Sequence, residues 1–91
     1  MEKRIFLFSM EGCPYCVELK EIFDKEKVDY VPIDTETHPK LFDALVEKSG
    51  FDHVPQILIN DWDGEKFTNG QCISDFDTLE EAFEKVKKIL E

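Results

Sequence analysis

Ile5-Phe6-Leu7-Phe8, followed by Cys13-Pro14-Tyr15-Cys16, is the stretch that decides how this chain folds. The four apolar residues predict a buried strand, and the segment that opens at Pro14 has helical periodicity. Proline suits the first helical position because its missing N–H would have no partner there. The two cysteines therefore stand where a strand gives way to a helix, which is typical of a thiol redox centre.

The start of a helix favours a thiolate, because its free backbone N–H groups and positive dipole end stabilise negative charge. The thiolate is the nucleophile in disulfide exchange, so a cysteine at that position is expected to be reactive. The alternative is half of a zinc site, which needs about four ligands. Outside the motif the chain offers Cys72, His38 and His53, which are not paired in sequence, so thiol redox chemistry is favoured.

The composition narrows the class of protein. A chain of 91 residues predicts one domain, residues 1–91, and 21 acidic against 11 basic residues give a net charge of −10. That charge argues against nucleic acid and anionic membranes as partners. No apolar run is long enough to span a bilayer, and the start of the chain lacks signal-peptide features. Three cysteines is an odd count that fits a reducing, cytoplasmic setting better than a disulfide framework.

The apolar periodicity predicts the element order β-α-β-α-β-β-α. Strands are expected at 4–8, 28–33, 56–60 and 66–68, and helices at 14–27 and 37–49. The last helix is marked by apolar residues at alternating spacings of three and four: Phe76, Leu79, Phe83, Val86 and Leu90. Thr37 is expected to cap the second helix, and Thr78 with Glu81 has a capping-box pattern. Trp62 is placed in a hairpin turn that ends with Asp63-Gly64 and is expected to pack back on the sheet.

The connections predict the topology. The first two strands are joined by a helix, so they should be parallel with a right-handed crossover. The third and fourth strands are joined by a hairpin, so they should be antiparallel. The expected fold class is α/β, with one four-stranded mixed sheet and helices on both of its faces.

This order, with Cys-Pro-Tyr-Cys after the first strand, resembles the glutaredoxins of the thioredoxin-like fold over nearly the whole chain. Three places carry the resemblance. Cys13-Pro14-Tyr15-Cys16 matches the form of Cys-x-x-Cys most associated with that family. Val54-Pro55-Gln56-Ile57 resembles its cis-proline loop, and Ser74-Asp75 resembles the segment that holds the γ-glutamyl end of glutathione.

The resemblance implies a glutathione-dependent thiol–disulfide oxidoreductase in which Cys13 attacks and Cys16 resolves. Glutathione would be the reducing co-substrate, and no metal is expected. The implied partners are glutathione and disulfide-containing or glutathionylated proteins; ribonucleotide reductase is a common client of the family. A monomer is the expected state. The glutathione-binding residues implied in this sequence are Tyr15, Val54, Pro55, Ser74 and Asp75.

Some positions depart from the family pattern. Met10 stands where the family often has a lysine or arginine, and Gln71-Cys72 aligns with a common Gly-Gly. His53 replaces the usual threonine or serine ahead of Val-Pro. Lys20, one turn up the first helix, and protonated His53 are expected to compensate by favouring the thiolate of Cys13.

Two further functions remain open at this stage. One is a glutaredoxin-shaped protein reduced by a thioredoxin-type reductase, which Met10 and Gln71-Cys72 motivate. The other is an iron–sulfur carrier that uses the first cysteine and glutathione, against which Pro14 and Tyr15 argue. For Cys72, a small buried hydrophobe is favoured over a regulatory thiol.

Overall fold

Four strands form one mixed sheet in the computed structural model, which describes residues 2–91. The strands are β1 (Glu2–Ser9), β2 (Val31–Asp34), β3 (Gln56–Trp62) and β4 (Phe67–Ile73). The helices are α1 (Pro14–Lys25), α2 (Pro39–Ser49) and α3 (Leu79–Leu90). The sheet order is β2-β1-β3-β4, with β1 parallel to β2 and antiparallel to β3, and with β3 antiparallel to β4. The predicted order and sheet type are confirmed.

Alternation along the strands divides the core between the two faces of the sheet, because successive side chains point to opposite sides. Ile5, Leu7 and Ile57 pack with α1 and α3 in the larger cluster, where Leu19, Phe23 and Phe83 come from those helices. On the other face, Phe8, Ile33 and Leu45 form a smaller cluster under α2. Helices therefore cover both faces, as predicted.

The first helix ends two residues earlier than predicted. Lys27 has a φ of 59°, a left-handed conformation that stops the helix. The N–H of Val28 then donates to the carbonyl of Phe23 at 2.9 Å, which satisfies a free helical carbonyl. The expectation that β2 begins at Val28 is also wrong: residues 28–30 belong to no strand, and pairing with β1 starts only at Val31.

The cap expected at Thr37 is also wrong. His38 is the N-cap residue of α2 and makes no side-chain capping bond. The hydroxyl of Thr37 lies 2.9 Å from the ring Nδ1 of His38 and 3.3 Å from the carbonyl of Asp34. At α3 the prediction holds, because the hydroxyl of Thr78 accepts the N–H of Glu81 at 3.1 Å.

The β3–β4 hairpin is longer than predicted. β3 includes Trp62, whose ring centroid lies 4.6 Å from that of Phe67, so this side chain packs on the sheet rather than forming the turn. β4 extends seven residues instead of three and contains Asn69 and Gly70. A Cβ on Gly70 would lie 2.9 Å from the side-chain amide nitrogen of Asn60, so a larger residue there would require that side chain to shift.

Candidate active site

Cys13 lies at the junction of the loop after β1 and helix α1. It is the N-cap residue, with extended backbone angles (φ −89°, ψ 109°), and Pro14 occupies the first turn. Its Sγ accepts the backbone N–H of Cys16 at 3.2 Å. A sulfur in this position receives one of the free N–H groups of the helix start, which stabilises a thiolate.

Cys16 is one turn further along α1, and its side chain is only 1% exposed. Its thiol donates to the Sγ of Cys13, and the two sulfur atoms are 2.7 Å apart. Burial, the hydrogen bond to Cys13 and the charge of Cys13 raise the pKa of the Cys16 thiol from 9.0 to about 12. The pair is therefore asymmetric, with a partly exposed acceptor sulfur and a buried, protonated donor sulfur.

A groove of about 350 Å³ opens beside Tyr15. Three segments line it: Tyr15 and Glu18 from α1, residues 53–55 from the loop before β3, and residues 76–80 at the start of α3. The peptide bond between Val54 and Pro55 is cis, as the resemblance to the cis-proline loop implies. Tyr15 is 63% exposed, so its ring forms a free wall of the groove.

The charges of the groove are mostly negative. Glu18, Asp77 and Glu80 line it, and His53 is the one lining residue that can become a cation. Within residues 2–91, none of these three carboxylates belongs to an ion pair with a lysine or arginine. The groove consequently presents uncompensated negative charge to an incoming molecule.

The two residues expected to tune the thiolate lie on different surfaces. His53 lines the groove beside Tyr15, with its ring centroid 5.4 Å from that of Phe51. Lys20 lines a separate depression of about 470 Å³ together with Met10 and Cys16. Its positive charge opposes the rise in the Cys16 pKa, so Lys20 acts on the resolving thiol.

Ser74 and Asp75 directly precede the residues of α3's start that line the groove. Ser74 is buried, and its hydroxyl donates to the side-chain oxygen of Gln56 at 2.5 Å. Asp75 is exposed, and its backbone carbonyl accepts the ammonium of Lys85 at 2.5 Å. Neither residue lines the 350 Å³ groove, so their binding of glutathione stays a prediction.

Cys72 lies on the opposite face of the sheet from the larger core cluster. It packs against the smaller cluster under α2, and burial raises the pKa of its thiol. A raised pKa lowers the thiolate fraction, which favours packing over reactivity. Among residues 2–91, no three His, Cys, Asp or Glu side chains are placed to hold a metal ion. No helix within that range is long and apolar enough to cross a membrane.

Sequence reasoning missed several residues of the site. Glu18 follows Tyr15 by three positions on α1, a helical spacing that could have placed both on one face. Phe76 and Asp77 precede the Thr78 cap, which marks the start of α3 at the groove. Gln56 carried no signal of its own, because a glutamine at the start of an apolar strand does not reveal its partners.

The fold and the close Cys13–Cys16 pair define the class of the protein, a thiol–disulfide oxidoreductase of the thioredoxin-like fold. A crystal structure of a thioredoxin-like protein has the same fold, with a TM-score of 0.65, 22% identity and coverage of 97% of this chain and 100% of that one. The buckwheat glutaredoxin–glutathione complex has a TM-score of 0.59 at 22% identity and covers 94% of this chain and 70% of that one.

Sequence similarity identifies the family. The glutaredoxin family profile matches residues 5–62, and this chain belongs to the glutaredoxins. A glutaredoxin of Pseudomonas aeruginosa is 33% identical over 78 residues, which are 86% of each chain. The N-acetyl-S-hydroxy-L-cysteine reductase of Bacillus subtilis is 36% identical over 55 residues, which are 60% of this chain and 59% of that protein.

Proposed function

We propose that this chain reduces protein disulfides and glutathione mixed disulfides with glutathione as its reductant. The observation that carries the proposal is the position of Cys13, whose sulfur accepts both the N–H and the thiol of Cys16 at the start of α1. The neighbouring groove, walled by Tyr15 and the cis Val54-Pro55 segment, offers a place for the tripeptide. An extended peptide can pair with exposed backbone by strand-like hydrogen bonds.

The reaction begins with the Cys13 thiolate. Its sulfur bonds to one sulfur of the substrate disulfide, the substrate S–S bond breaks, and one substrate thiolate leaves. The Cys16 sulfur then loses its proton and bonds to Cys13, which releases the second substrate thiolate. Cys13 and Cys16 are thereby oxidised to a disulfide, and the substrate gains two electrons and, on protonation, two thiols.

The environment of Cys16 suits this order of events. Two of the causes that raise its pKa, the hydrogen bond to Cys13 and the charge of Cys13, depend on a free Cys13 sulfur. Once Cys13 is bonded to substrate, both causes are removed and Cys16 ionises more readily. The resolving thiol therefore stays protonated until a mixed disulfide has formed.

Glutathione would restore the dithiol in two steps. One glutathione thiolate bonds to Cys13 and frees Cys16, which is reprotonated; a second bonds to the glutathione sulfur, forms glutathione disulfide and frees Cys13. Asp75 would bind the α-ammonium of glutathione, with Ser74 assisting. Ser74 gives its hydroxyl proton to Gln56, so its oxygen remains an acceptor for an ammonium.

A second reductant has a specific observation in its favour. Met10 is 42% exposed where the glutaredoxin pattern often has a lysine or arginine, so a positive charge that would pair with a glutathione carboxylate is missing. A thioredoxin-type reductase would need no such pairing. We therefore consider reduction by that enzyme as the alternative.

The experiment that tests the proposal compares two reducing systems on the oxidised protein with NADPH. One contains glutathione and glutathione reductase, and the other contains thioredoxin reductase alone. Turnover with glutathione supports the proposal, and loss of that turnover in Tyr15→Ala and Asp75→Asn supports the groove. Turnover with thioredoxin reductase and none with glutathione would overturn the glutathione assignment and leave the Cys13–Cys16 chemistry intact.

A further inference from the structure

Gln56, the first residue of β3, carries a polar amide in a fully buried position, with 0% of its surface exposed. Its Nε2 donates to the carbonyl of Phe51 at 2.9 Å and to that of His53 at 2.7 Å. Its Oε1 accepts the hydroxyl of Ser49 at 3.0 Å and that of Ser74 at 2.5 Å. Carbonyl oxygens only accept, so these partners fix which way the amide points.

The partners of this amide come from both sides of the substrate groove. The carbonyl groups belong to the loop that leads through His53 into the cis Val54-Pro55 wall. The hydroxyl of Ser74 belongs to the segment that continues into residues 76–80, which form the facing wall. The hydroxyl of Ser49 connects the amide to the last residue of α2, the helix that precedes the loop.

We propose that Gln56 is a positioning residue for thiol–disulfide exchange, because one side chain sets the spacing between the two walls of the groove beside Tyr15. The proposal rests on the substrate's use of this groove in the proposed function. Gln56 is fully buried and does not line the groove. It acts through the carbonyl of His53 on one wall and through Ser74 on the other.

A purely structural role of Gln56 would change substrate binding and the reactivity of Cys13 together, whereas a positioning role separates the two. Loss of the amide removes the donor to the carbonyl of His53 and the acceptor of the buried Ser74 hydroxyl, and the loop and the Ser74 segment then move apart to find water. Weaker binding of substrate follows from that movement. The reactivity of Cys13 does not follow from it, because its hydrogen bonds come from Cys16 within α1.

The test uses the pre-reduced protein and a short peptide with an internal disulfide, so that no glutathione is needed. The reaction is stopped with acid at successive times for several peptide concentrations, which gives the rate of peptide reduction. These rates give the peptide concentration at the half-maximal rate and the maximal rate. In parallel, iodoacetamide alkylation measures the reactivity of Cys13 with a reagent too small to need the groove. The variants are Gln56→Met, which keeps the volume without the amide, and Gln56→Glu, which keeps an acceptor for the hydroxyls but no donor. Ile59→Val weakens the core of the same strand and serves as the control.

We expect Gln56→Met to raise the half-maximal concentration about tenfold, with the alkylation rate unchanged within about twofold. Gln56→Glu should raise the half-maximal concentration as well, because its carboxylate oxygen faces the carbonyls of Phe51 and His53 with no proton to donate. Ile59→Val should alter neither quantity. An unchanged half-maximal concentration in Gln56→Met, an equal effect of Ile59→Val, or alkylation that slows in parallel would each overturn the proposal.

Ser49→Ala keeps the proposal testable if the Gln56 variants do not fold. It removes one hydrogen bond to the Gln56 oxygen together with the bonds between the Ser49 hydroxyl and the backbone of Phe51, and Ser49 does not line the groove. We expect its half-maximal concentration to rise about threefold, and no rise would contradict the positioning role. Peptide reduction that persists while glutathione turnover is absent would overturn the proposed reductant and leave the test of Gln56 valid.

Discussion

The sulfur of Cys16 lies 2.7 Å from the sulfur of Cys13, and the Cys16 thiol donates a hydrogen bond to the Cys13 sulfur. The backbone N–H of Cys16 also donates to the Cys13 sulfur, at 3.2 Å. Cys16 thus stabilises negative charge on Cys13 through two donors. It is itself kept neutral by burial and by the charge it faces. One residue prepares the nucleophile and later bonds to it in the mixed disulfide, which releases the substrate thiolate.

The first prediction separates the two cysteines. Cys16→Ser should retain removal of glutathione from a glutathionylated peptide but lose reduction of a protein disulfide, because only the latter needs a resolving thiol. Cys13→Ser should lose both, since it lacks the attacking sulfur. Both activities are measured with glutathione and glutathione reductase, and Cys72→Ser serves as the control that should keep both. Activity in Cys13→Ser would contradict the assigned order of attack.

The second prediction concerns stability at high pH. The pKa of the Cys16 thiol is raised to about 12 in the folded protein from an ordinary value of 9.0, so folding favours the protonated form. The stabilisation is complete below pH 9 and is lost as the pH rises from 9 to 12, because the unfolded chain ionises first. Between pH 8 and 10 the reduced protein should lose about 1 kcal/mol more free energy of unfolding than Cys16→Ser.

Urea unfolding of both proteins under anaerobic, reducing conditions at pH 8 and pH 10 measures this difference. The two proteins share every other titrating group, including Cys72, and the serine hydroxyl can still donate to Cys13, so the difference reports the Cys16 thiol. Equal losses in the two proteins would show that the Cys16 thiol is not held protonated by the fold.

The third prediction concerns the charge of substrates. Glu18 and Glu80 lie in the wall of the groove without a cationic partner among residues 2–91. At low ionic strength, a disulfide peptide flanked by arginine should react about tenfold faster than the same peptide flanked by glutamate, and salt should reduce this ratio. Glu18→Gln/Glu80→Gln should lower the ratio about threefold.

The matched control for this prediction is Asp43→Asn/Glu47→Gln. It changes the net charge by the same amount, but both residues are exposed on α2, on the other face of the sheet. Rates for both peptides are measured with each variant at low and high salt. An equal fall of the ratio in the control would attribute the preference to net charge rather than to the groove.

The fourth prediction compares two threonines that precede helices. Thr78→Ala removes the side-chain acceptor of the Glu81 N–H and should lower the free energy of unfolding by about 1 kcal/mol. Thr37→Ala should cost less, because its hydroxyl contacts His38 and Asp34 instead of a free helical N–H. Urea denaturation of the two variants gives both values, and a larger loss at Thr37 would contradict the structure of the α2 cap.

Local signals in the sequence were enough for the element order and for the reactive pair. The continuous apolar run at 5–8 indicates a strand buried on both faces, and the spacing of Leu19 and Phe23 indicates a helix. Both patterns depend on periods of two and 3.6 residues, which the backbone imposes. The length of β4 was not predicted, because Asn69 and Gly70 have the composition of a turn and only pairing with β3 holds them in a strand.

By itself, the sequence determined the thioredoxin-like order of elements and the position of Cys13 and Cys16 at a helix start, because these follow from short-range patterns. Tertiary structure alone decided what surrounds them. The amide of Gln56 reaches Ser74, 18 positions away, and Glu18 and Glu80 meet at one groove from separate helices. Such contacts join residues distant in the chain, and the chain's composition does not encode which buried polar group will find which partner.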